Sequence, residues 1–420
     1  MICEKIIVAM DTSQPNIFVA RQPIFKRNKE VFAYELLFRS GLNNYFDPLQ
    51  DGEEATSKVI TNSFLLIGIA SITEGKKAFI NFSEEMLLKG YPALFPKEIT
   101  VVEVLETVGA TPEVIEACEG LVAAGYVLAL DDFLYEERFL PLIKLAGIIK
   151  FDIRQMSFAE LERQTKVVSR HNVKLLAEKI ETNEEFEAVK KLGFDLFQGY
   201  FFSRPHIMKG RDIPGSKLHY LQVLKVIQDE DYDFAELAKF VSRDVSLAYK
   251  LLKYANSAYF ARRQKLDSIE MVVAMLGQIT LRKWLSLMML SYLAADKPSE
   301  LLRLAAFRGS FCELIADQLL NRRKEAGMFH TVGMFSLLPA MLDKAMADIL
   351  PDLALPEAIQ EALLVEVATP LSRTLRLVMA YERGDWENTA RLAKKLAIKL
   401  DSLPLLYEQA IEIAQSQLTD

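Results

Sequence analysis

The stretch Tyr34-Glu35-Leu36-Leu37-Phe38-Arg39 lies in an apolar run, residues 31–38, that is rich in aromatic and β-branched residues. Such a run predicts a buried β-strand. Glu35 and Arg39 are an even number of residues apart, so on a strand both side chains point to the same face. A carboxylate and a guanidinium in a buried strand need partners. The pair therefore predicts either a salt bridge within the fold or a polar site on that face.

Polar residues also accompany other strand-like runs along residues 17–205, where short apolar runs alternate with helix-patterned segments. Polar residues stand at the ends of these runs: Asn81, Glu103, Asp131, Lys150, Glu178 and Gln198. The alternation predicts a parallel sheet covered by helices, which this many units would close into a TIM-like (β/α) barrel. Each polar residue alone could be a helix cap or a satisfied core group. Six at equivalent positions predict one site, because the carboxyl ends of barrel strands face the active site.

The residue types at these ends predict a metal centre. Glu35, Asn81, Glu103 and Asp131 supply oxygen ligands and no thiolate, which favours Mg²⁺ or Mn²⁺ over zinc. Asp132, directly after Asp131, could hold a second ion. Two such ions stabilise the attacking and leaving oxygens when a phosphodiester is hydrolysed.

Three further residues have predicted roles in that chemistry. Lys150 would orient or activate the attacking water, and Glu178 would act as general base or as a water-mediated ligand. Arg39 would hold a phosphate.

Residues 17–205 resemble the EAL family of cyclic-di-GMP phosphodiesterases. The motifs that carry the resemblance follow in family order: Arg21-Gln22-Pro23-Ile24, Glu35-Leu36-Leu37-Phe38-Arg39, Asn81-Phe82-Ser83, Glu103 with Glu106, Asp131-Asp132-Phe133, Lys150-Phe151-Asp152, Glu178-Lys179-Ile180-Glu181 and Gln198-Gly199-Tyr200-Phe201-Phe202-Ser203-Arg204-Pro205. The resemblance implies that cyclic-di-GMP is the ligand. It implies substrate contacts at Gln22, Leu37, Arg39 and Gln198, and a homodimer formed through the barrels.

Two departures from the family pattern bear on catalysis. The stretch from Leu134 to Arg138 stands where active members have a glycine-rich loop, and without glycine it cannot take positive-φ turns at low cost. Lys179 replaces a glycine beside Glu178, and its cation could pair with a carboxylate in place of a metal's charge. These changes favour a ligand-binding site that has lost proficient hydrolysis.

The second half of the chain has a different composition. Residues 206–217 contain one proline, two glycines and several charges, which predict a linker, and helical spacing of apolar residues follows almost throughout. The predicted organisation is an extension (1–16), a barrel (17–205), a linker (206–217), a helical domain (218–400) and a C-terminal helix (401–420).

The helical part resembles the HDOD family, an all-helical domain related to HD phosphohydrolases. The resemblance rests on Asp244-Val245-Ser246-Leu247, Tyr254-Ala255-Asn256-Ser257-Ala258-Tyr259-Phe260, Ser268-Ile269 and Leu276-Gly277. HD enzymes hold metal with paired His and Asp, but none of the four histidines here is followed by Asp. We expect His330, at a predicted helix start, to be structural or on the surface and not a metal ligand, and this half to contact a protein partner.

Net charge and cysteine content indicate which partners and which cellular compartment to expect. A net charge of −7 argues against broad binding to a nucleic-acid polymer or an anionic membrane. Three scattered cysteines and the lack of a signal-peptide core predict a cytoplasmic protein. Three hypotheses remain open: a regulatory protein that binds cyclic-di-GMP and relays this state to a partner, a Mg²⁺- or Mn²⁺-dependent phosphodiesterase that yields the linear dinucleotide, and a nucleotide-independent scaffold.

Overall fold

The computed structural model describes residues 17–40, 69–205, 215–228, 234–256, 266, 268–353, 355–364 and 367–418. Of a few residues in these ranges, Arg39 among them, only the backbone is described. The predicted extension and most of the predicted linker lie outside them. Residues 257–260 of the HDOD resemblance lie outside them as well.

Eight strands form a closed barrel in chain order. They are β1 (Ile17–Lys26), β2 (Val31–Ser40), β3 (Lys77–Phe82), β4 (Thr100–Val104), β5 (Val127–Leu130), β6 (Ile148–Asp152), β7 (Lys174–Glu178) and β8 (Leu196–Gln198). The barrel confirms the predicted fold of this half.

The prediction of a parallel sheet is wrong for one strand. β1 runs antiparallel to both of its neighbours, β2 and β8, whereas the other neighbouring strands pair in parallel. The physical reason is the short turn between β1 and β2, in which Lys29 takes a left-handed φ of 64°. Parallel neighbours need a crossover of about a dozen residues, and a tight turn allows only a hairpin.

Helices of the barrel half lie between the strands. They are α1 (Ile69–Ile72), α2 (Glu84–Leu88), α3 (Pro112–Ala123), α4 (Leu140–Leu145), α5 (Phe158–Val168) and α6 (Asn183–Lys191). Four of them begin at a hydroxyl cap that accepts a backbone hydrogen bond from three residues ahead: Ser83, Thr111, Ser157 and Thr182. Such caps satisfy free N–H groups and determine where each strand-to-helix loop ends.

The second half is helical, as predicted. Its helices are α7 (Gly215–Gln228), α8 (Phe234–Arg243), α9 (Val245–Ala255), α10 (Ile269–Leu293), α11 (Ser299–Leu314), α12 (Ala326–Phe335), α13 (Leu338–Leu342), α14 (Met346–Ile349), α15 (Glu357–Leu364), α16 (Pro370–Glu382), α17 (Trp386–Lys395) and α18 (Leu403–Leu418). A break at Gly277 (φ 72°) divides α10. In the described ranges, every helix is too short or too polar to cross a membrane.

The two halves pack directly against each other. The Tyr34 hydroxyl on β2 donates a buried hydrogen bond of 3.1 Å to Glu300 on α11. The backbone N–H of Arg21 on β1 donates to the Tyr407 hydroxyl on α18 at 3.0 Å. β1 is therefore covered by the helical half, which brings that half close to one end of the barrel.

Candidate functional site

Strand register gathers the predicted polar residues at one end of the barrel. The barrel interior is filled by one apolar residue from each strand: Ile24, Ala33, Phe79, Val101, Ala129, Ile148, Leu176 and Leu196. Two residues further along β2 to β8, on the same face, stand Glu35, Asn81, Glu103, Asp131, Lys150, Glu178 and Gln198. Because β1 is antiparallel, its contribution to this layer is Gln22, two residues before Ile24.

Lys150 lies at the centre of this polar layer. Its ammonium Nζ is 2.8 Å from Asp131 Oδ1, 2.7 Å from Glu178 Oε1 and 3.4 Å from Glu35 Oε2. It also forms an ion pair with Glu103 Oε1. The lysine side chain is 1% exposed, so these carboxylates take the place of its hydration. Lys150 is inside β6 and not after it, which corrects the predicted strand end.

Amide side chains hold the first carboxylate in position. Gln198 Nε2 donates to Glu35 Oε2 at 2.6 Å and also lies 3.1 Å from Gln22 Oε1. Asn81 Nδ2 donates to Glu35 Oε1 at 3.3 Å. Both oxygens of Glu35 are therefore oriented by amide donors, one from β3 and one from β8.

The layer contains more carboxylates than cations, and this changes its protonation. Burial raises the pKa of Glu103 well above its usual value, and the nearby Glu35 adds to the shift. Burial also raises the pKa of Glu178, although Lys150 opposes it. For Lys150 itself, burial lowers the pKa, but Asp131 and the other carboxylates outweigh that effect and hold it well above its usual value. The site thus keeps its lysine charged and still favours further positive charge.

Several oxygen atoms of the layer fit a divalent cation. Asn81 Oδ1, Glu103 Oε2 and Asp132 Oδ1 are buried and have no hydrogen-bond partner among the described residues. Two groups of carboxylates bring ligand atoms within 4.8 Å of one another: Glu35 with Glu103 and Glu178, and Asp131 with Asp132 and Glu178. Buried acceptors without donors are costly, and an oxygen-only set suits Mg²⁺ or Mn²⁺.

A second ion-pair cluster adjoins the first. Lys179 Nζ is 2.5 Å from Asp152 Oδ2 and 3.6 Å from Asp132 Oδ2. Lys179 has a left-handed φ of 57°, and Asp132 one of 42°, a region that costs a side-chain-bearing residue energy. Lys179 thus pairs with carboxylates, as the sequence suggested, and one of them is the residue predicted to hold a second ion.

The loop that departs from the family pattern, Leu134 to Arg138, packs against the barrel without left-handed backbone. Within residues 133–139, no residue has a positive φ, and the backbone N–H of Tyr135 donates to Gln164 Oε1 on α5 at 3.0 Å. A turn of 3₁₀ helix follows over Glu137–Phe139. The residue with a positive φ in this region is Asp132, which precedes the loop.

The remaining predicted ligand contacts, Leu37 and Arg39, lie beyond the polar layer along β2. Leu37 stands two residues beyond Glu35 on the same face of β2 and lines the cavity above the polar layer. The backbone of Arg39 ends β2, but its side chain is not among the described ones. Its role as a phosphate contact remains a prediction.

The cavity above the layer has a volume of about 1200 Å³. It is lined by residues that sequence reasoning did not select, including Tyr200, Arg383 and Gly384. Asp152 was also not selected, although its spacing of two from Lys150 on one strand was a usable signal. Arg383 and Gly384 belong to the helical half, and no local sequence pattern connects them to the barrel.

The helical half offers no comparable cluster among its described residues. His330 is buried in the middle of α12, not at a helix start as predicted. Burial lowers its pKa well below the usual value. Its neutral ring packs beside Gly309 on α11, where a Cβ would lie 3.2 Å from His330 Nε2. This placement agrees with the structural role that we expected.

Comparisons with known proteins identify the two halves. The EAL domain matches residues 67–205, and the HDOD domain matches residues 213–365. The protein YuxH of Bacillus subtilis is 34% identical over 388 residues, which cover 90% of this chain and 94% of YuxH. Cyclic di-GMP phosphodiesterase CdgJ of Vibrio cholerae is 34% identical over 392 residues, which cover 92% of this chain and 89% of CdgJ.

Among solved structures, a cyclic-di-GMP-bound EAL protein from Vibrio cholerae O395 is 26% identical, with a TM-score of 0.35 over 45% of this chain and 91% of that one. That score is low, so the assignment rests on the two relatives that match along almost their whole length. The chain belongs to the family of YuxH and CdgJ, and it combines an EAL domain with an HDOD domain.

Proposed function

We propose that the chain is a divalent-metal-dependent phosphodiesterase of cyclic-di-GMP signalling, which opens the cyclic dinucleotide to its linear form. The observation that carries the proposal is the polar layer around Lys150, with its unpartnered oxygen acceptors below a cavity of about 1200 Å³. The resemblance of the whole chain to CdgJ, whose name states this activity, supports it.

In this proposal Glu35, Asn81, Glu103 and Asp131 hold one Mg²⁺ or Mn²⁺, and Asp132 contributes to a second. When bound, such ions neutralise phosphate charge and make a coordinated water more acidic. Lys150 donates a hydrogen bond that orients the attacking water, and Glu178 accepts its proton. The raised pKa of Glu178, caused first by burial, suits a general base.

A receptor without turnover is the second candidate, and a specific observation favours it. Lys179 Nζ is 2.5 Å from Asp152 and 3.6 Å from Asp132. An ammonium there competes with a second cation for Asp132. Cyclic-di-GMP would then bind without being cut.

We also propose the setting of this activity. Three scattered cysteines support a cytoplasmic protein. Relay to a protein partner through the HDOD domain, and pairing of two copies through their barrels, are parts of the proposal that rest on family resemblance.

Titration of cyclic-di-GMP into the whole chain, first in EDTA and then with Mn²⁺, separates the hypotheses. The proposal predicts binding at or below roughly tens of micromolar, followed with Mn²⁺ by a linear dinucleotide product on chromatography. Binding without product would establish the receptor instead. Absence of binding in both conditions would overturn both and leave the scaffold hypothesis.

A further inference from the structure

The turn between α16 and α17 brings the helical half into the cavity of the barrel. Gln22 Nε2 donates to the backbone carbonyl of Arg383 at 3.3 Å, and the Tyr200 hydroxyl donates to the carbonyl of Glu382 at 3.3 Å. Gln22 is linked through Gln198 to Glu35. A continuous hydrogen-bond path therefore joins the polar layer around Lys150 to this turn.

Packing on both sides holds the turn in place. Glu382 forms a buried ion pair with Arg308 on α11, in which Arg308 Nε lies 2.8 Å from Glu382 Oε2. Trp386, at the start of α17, packs on Phe18 of β1 with ring centroids 5.9 Å apart. The position of Arg383 between these anchors is thus set by contacts within the helical half and with the barrel.

Gly384 allows the turn to approach the barrel closely. Its φ is +65°, and a Cβ there would lie 2.7 Å from Leu37 Cδ1. The Leu37 side chain would have to shift to admit that Cβ, and the left-handed backbone adds strain for any other residue. The sequence Arg383-Gly384 therefore places an arginine beside Leu37, a residue already predicted to contact the ligand.

Arg383 differs from the other cations around the cavity in its lack of a carboxylate partner among the described residues. Its lining contains the cations Lys89, Lys150, Arg154, Lys179 and Arg383. In the described part of the chain, the first four each pair with at least one carboxylate, whereas no ion pair is found for Arg383. Its guanidinium lies over the Tyr200 ring, 5.0 Å from the centroid, which orients it along the cavity wall.

A cyclic dinucleotide carries two phosphodiester anions, and most of the charged groups in this cavity are carboxylates or paired cations. An unpaired arginine is the natural partner of such an anion, because its planar fork binds phosphate with two hydrogen bonds. We propose that Arg383 of the HDOD half binds a phosphate of the dinucleotide, so that the ligand site is completed by both halves. The inference rests on the proposed function, since it takes cyclic-di-GMP as the ligand.

The test compares cyclic-di-GMP affinity of the whole chain with that of Arg383→Ala, in EDTA and at two salt concentrations. Arg383 is exposed, so its removal leaves the fold intact. The expected result is a Kd about 10-fold higher, a weaker salt dependence, and partial recovery in Arg383→Lys. The matched control is Arg391→Ala on α17, an exposed arginine that, among the described residues, donates only to Asn388 of its own helix.

The outcomes separate this inference from the proposed function. Wild-type binding with unchanged affinity and salt dependence in Arg383→Ala would overturn the role of Arg383 and leave the proposed function standing. An equal loss of affinity in Arg391→Ala would also overturn it, because the effect would then come from the removal of any positive charge. If the wild-type chain binds the dinucleotide neither in EDTA nor with Mn²⁺, the proposed function itself fails, and this inference fails with it.

Discussion

At the scale of single residues, Lys150 determines the charge balance of the site. One buried ammonium lies within ion-pair distance of four carboxylates from four other strands. Its charge reduces the repulsion among these carboxylates, but one cation cannot balance them, and the pKa of Glu103 stays raised, first by burial and then by Glu35. Such an arrangement is stable only while every charge has a partner.

Replacing Lys150 with Met should therefore destabilise the metal-free protein. We expect a loss of about 3–5 kcal/mol in the free energy of unfolding at pH 7 with EDTA, because four carboxylates, three of them buried, lose their counter-ion. Urea unfolding of wild type and variant measures it. The matched control is Lys166→Met on α5, whose exposed pair with Glu162 should contribute at most about 0.5 kcal/mol. Equal stabilities of the two variants would contradict this account of Lys150.

At the scale of elements, the strand ends and the turns that follow them position the site. Gly199 directly follows β8 with a φ of +142°, and a Cβ there would lie 2.1 Å from the Ile180 carbonyl oxygen. Backbone and backbone meet at this point, so neither can move aside like a flexible side chain. The close contact keeps Gln198 at the edge of the polar layer.

Gly199→Ala should thus be strongly destabilising. We expect a loss of about 3 kcal/mol or more, from the overlap and the disfavoured φ together. Thermal and urea unfolding provide the measurement. Gly193→Ala is the control, because Gly193 also has a positive φ of +98° but has free space around a Cβ, which predicts a loss of about 1 kcal/mol. Similar losses in both variants would show that the overlap is unimportant.

A second prediction at this scale concerns α18 and pH. Burial, and then the neighbouring Glu412, raise the pKa of Glu408 from 4.5 to about 6. The folded state therefore keeps a proton that the unfolded chain releases in this window, so stability falls as pH rises through it and remains lower above it.

Glu408→Gln should remove the loss of folding stability that ionisation of Glu408 causes as pH rises. Unfolding at pH 7 should require about 1 kcal/mol more than in wild type, after allowance for the half-exposed position, and the difference should vanish near pH 4. Urea titrations at both pH values measure it, with Glu116→Gln on the exposed face of α3 as control. An equal gain at both pH values would contradict the role of this ionisation.

Elements also show what the sequence can predict. Asn81, Glu103 and Asp131 could be found because each follows apolar residues at a strand end, where side chains alternate with a period of two. The reversed direction of β1 could not be found this way, because the same alternation reads equally in both directions. Neither could the ion pairs of Lys150 with four strands, since their formation depends on barrel closure.

At the scale of the whole molecule, the two halves form one structure around the cavity. The buried hydrogen bond from Tyr34 to Glu300 joins the helical half to β2, and the packing of Trp386 on Phe18 joins it to β1. The turn at Arg383 then adds the helical half to the wall of the cavity. No sequence pattern connects Arg383 to the barrel, because the contact arises only from the packing of two segments that are far apart in the chain.

The most direct measurement is turnover of cyclic-di-GMP by the whole chain with Mn²⁺, quantified by chromatography of the linear product. The account predicts product that disappears in EDTA and falls at least about 100-fold in Glu103→Gln, because the buried Glu103 carboxylate is part of the oxygen ligand set. Glu116→Gln, exposed on α3, should match wild type. Product that persists in EDTA, or equal rates in Glu103→Gln and wild type, would contradict the account.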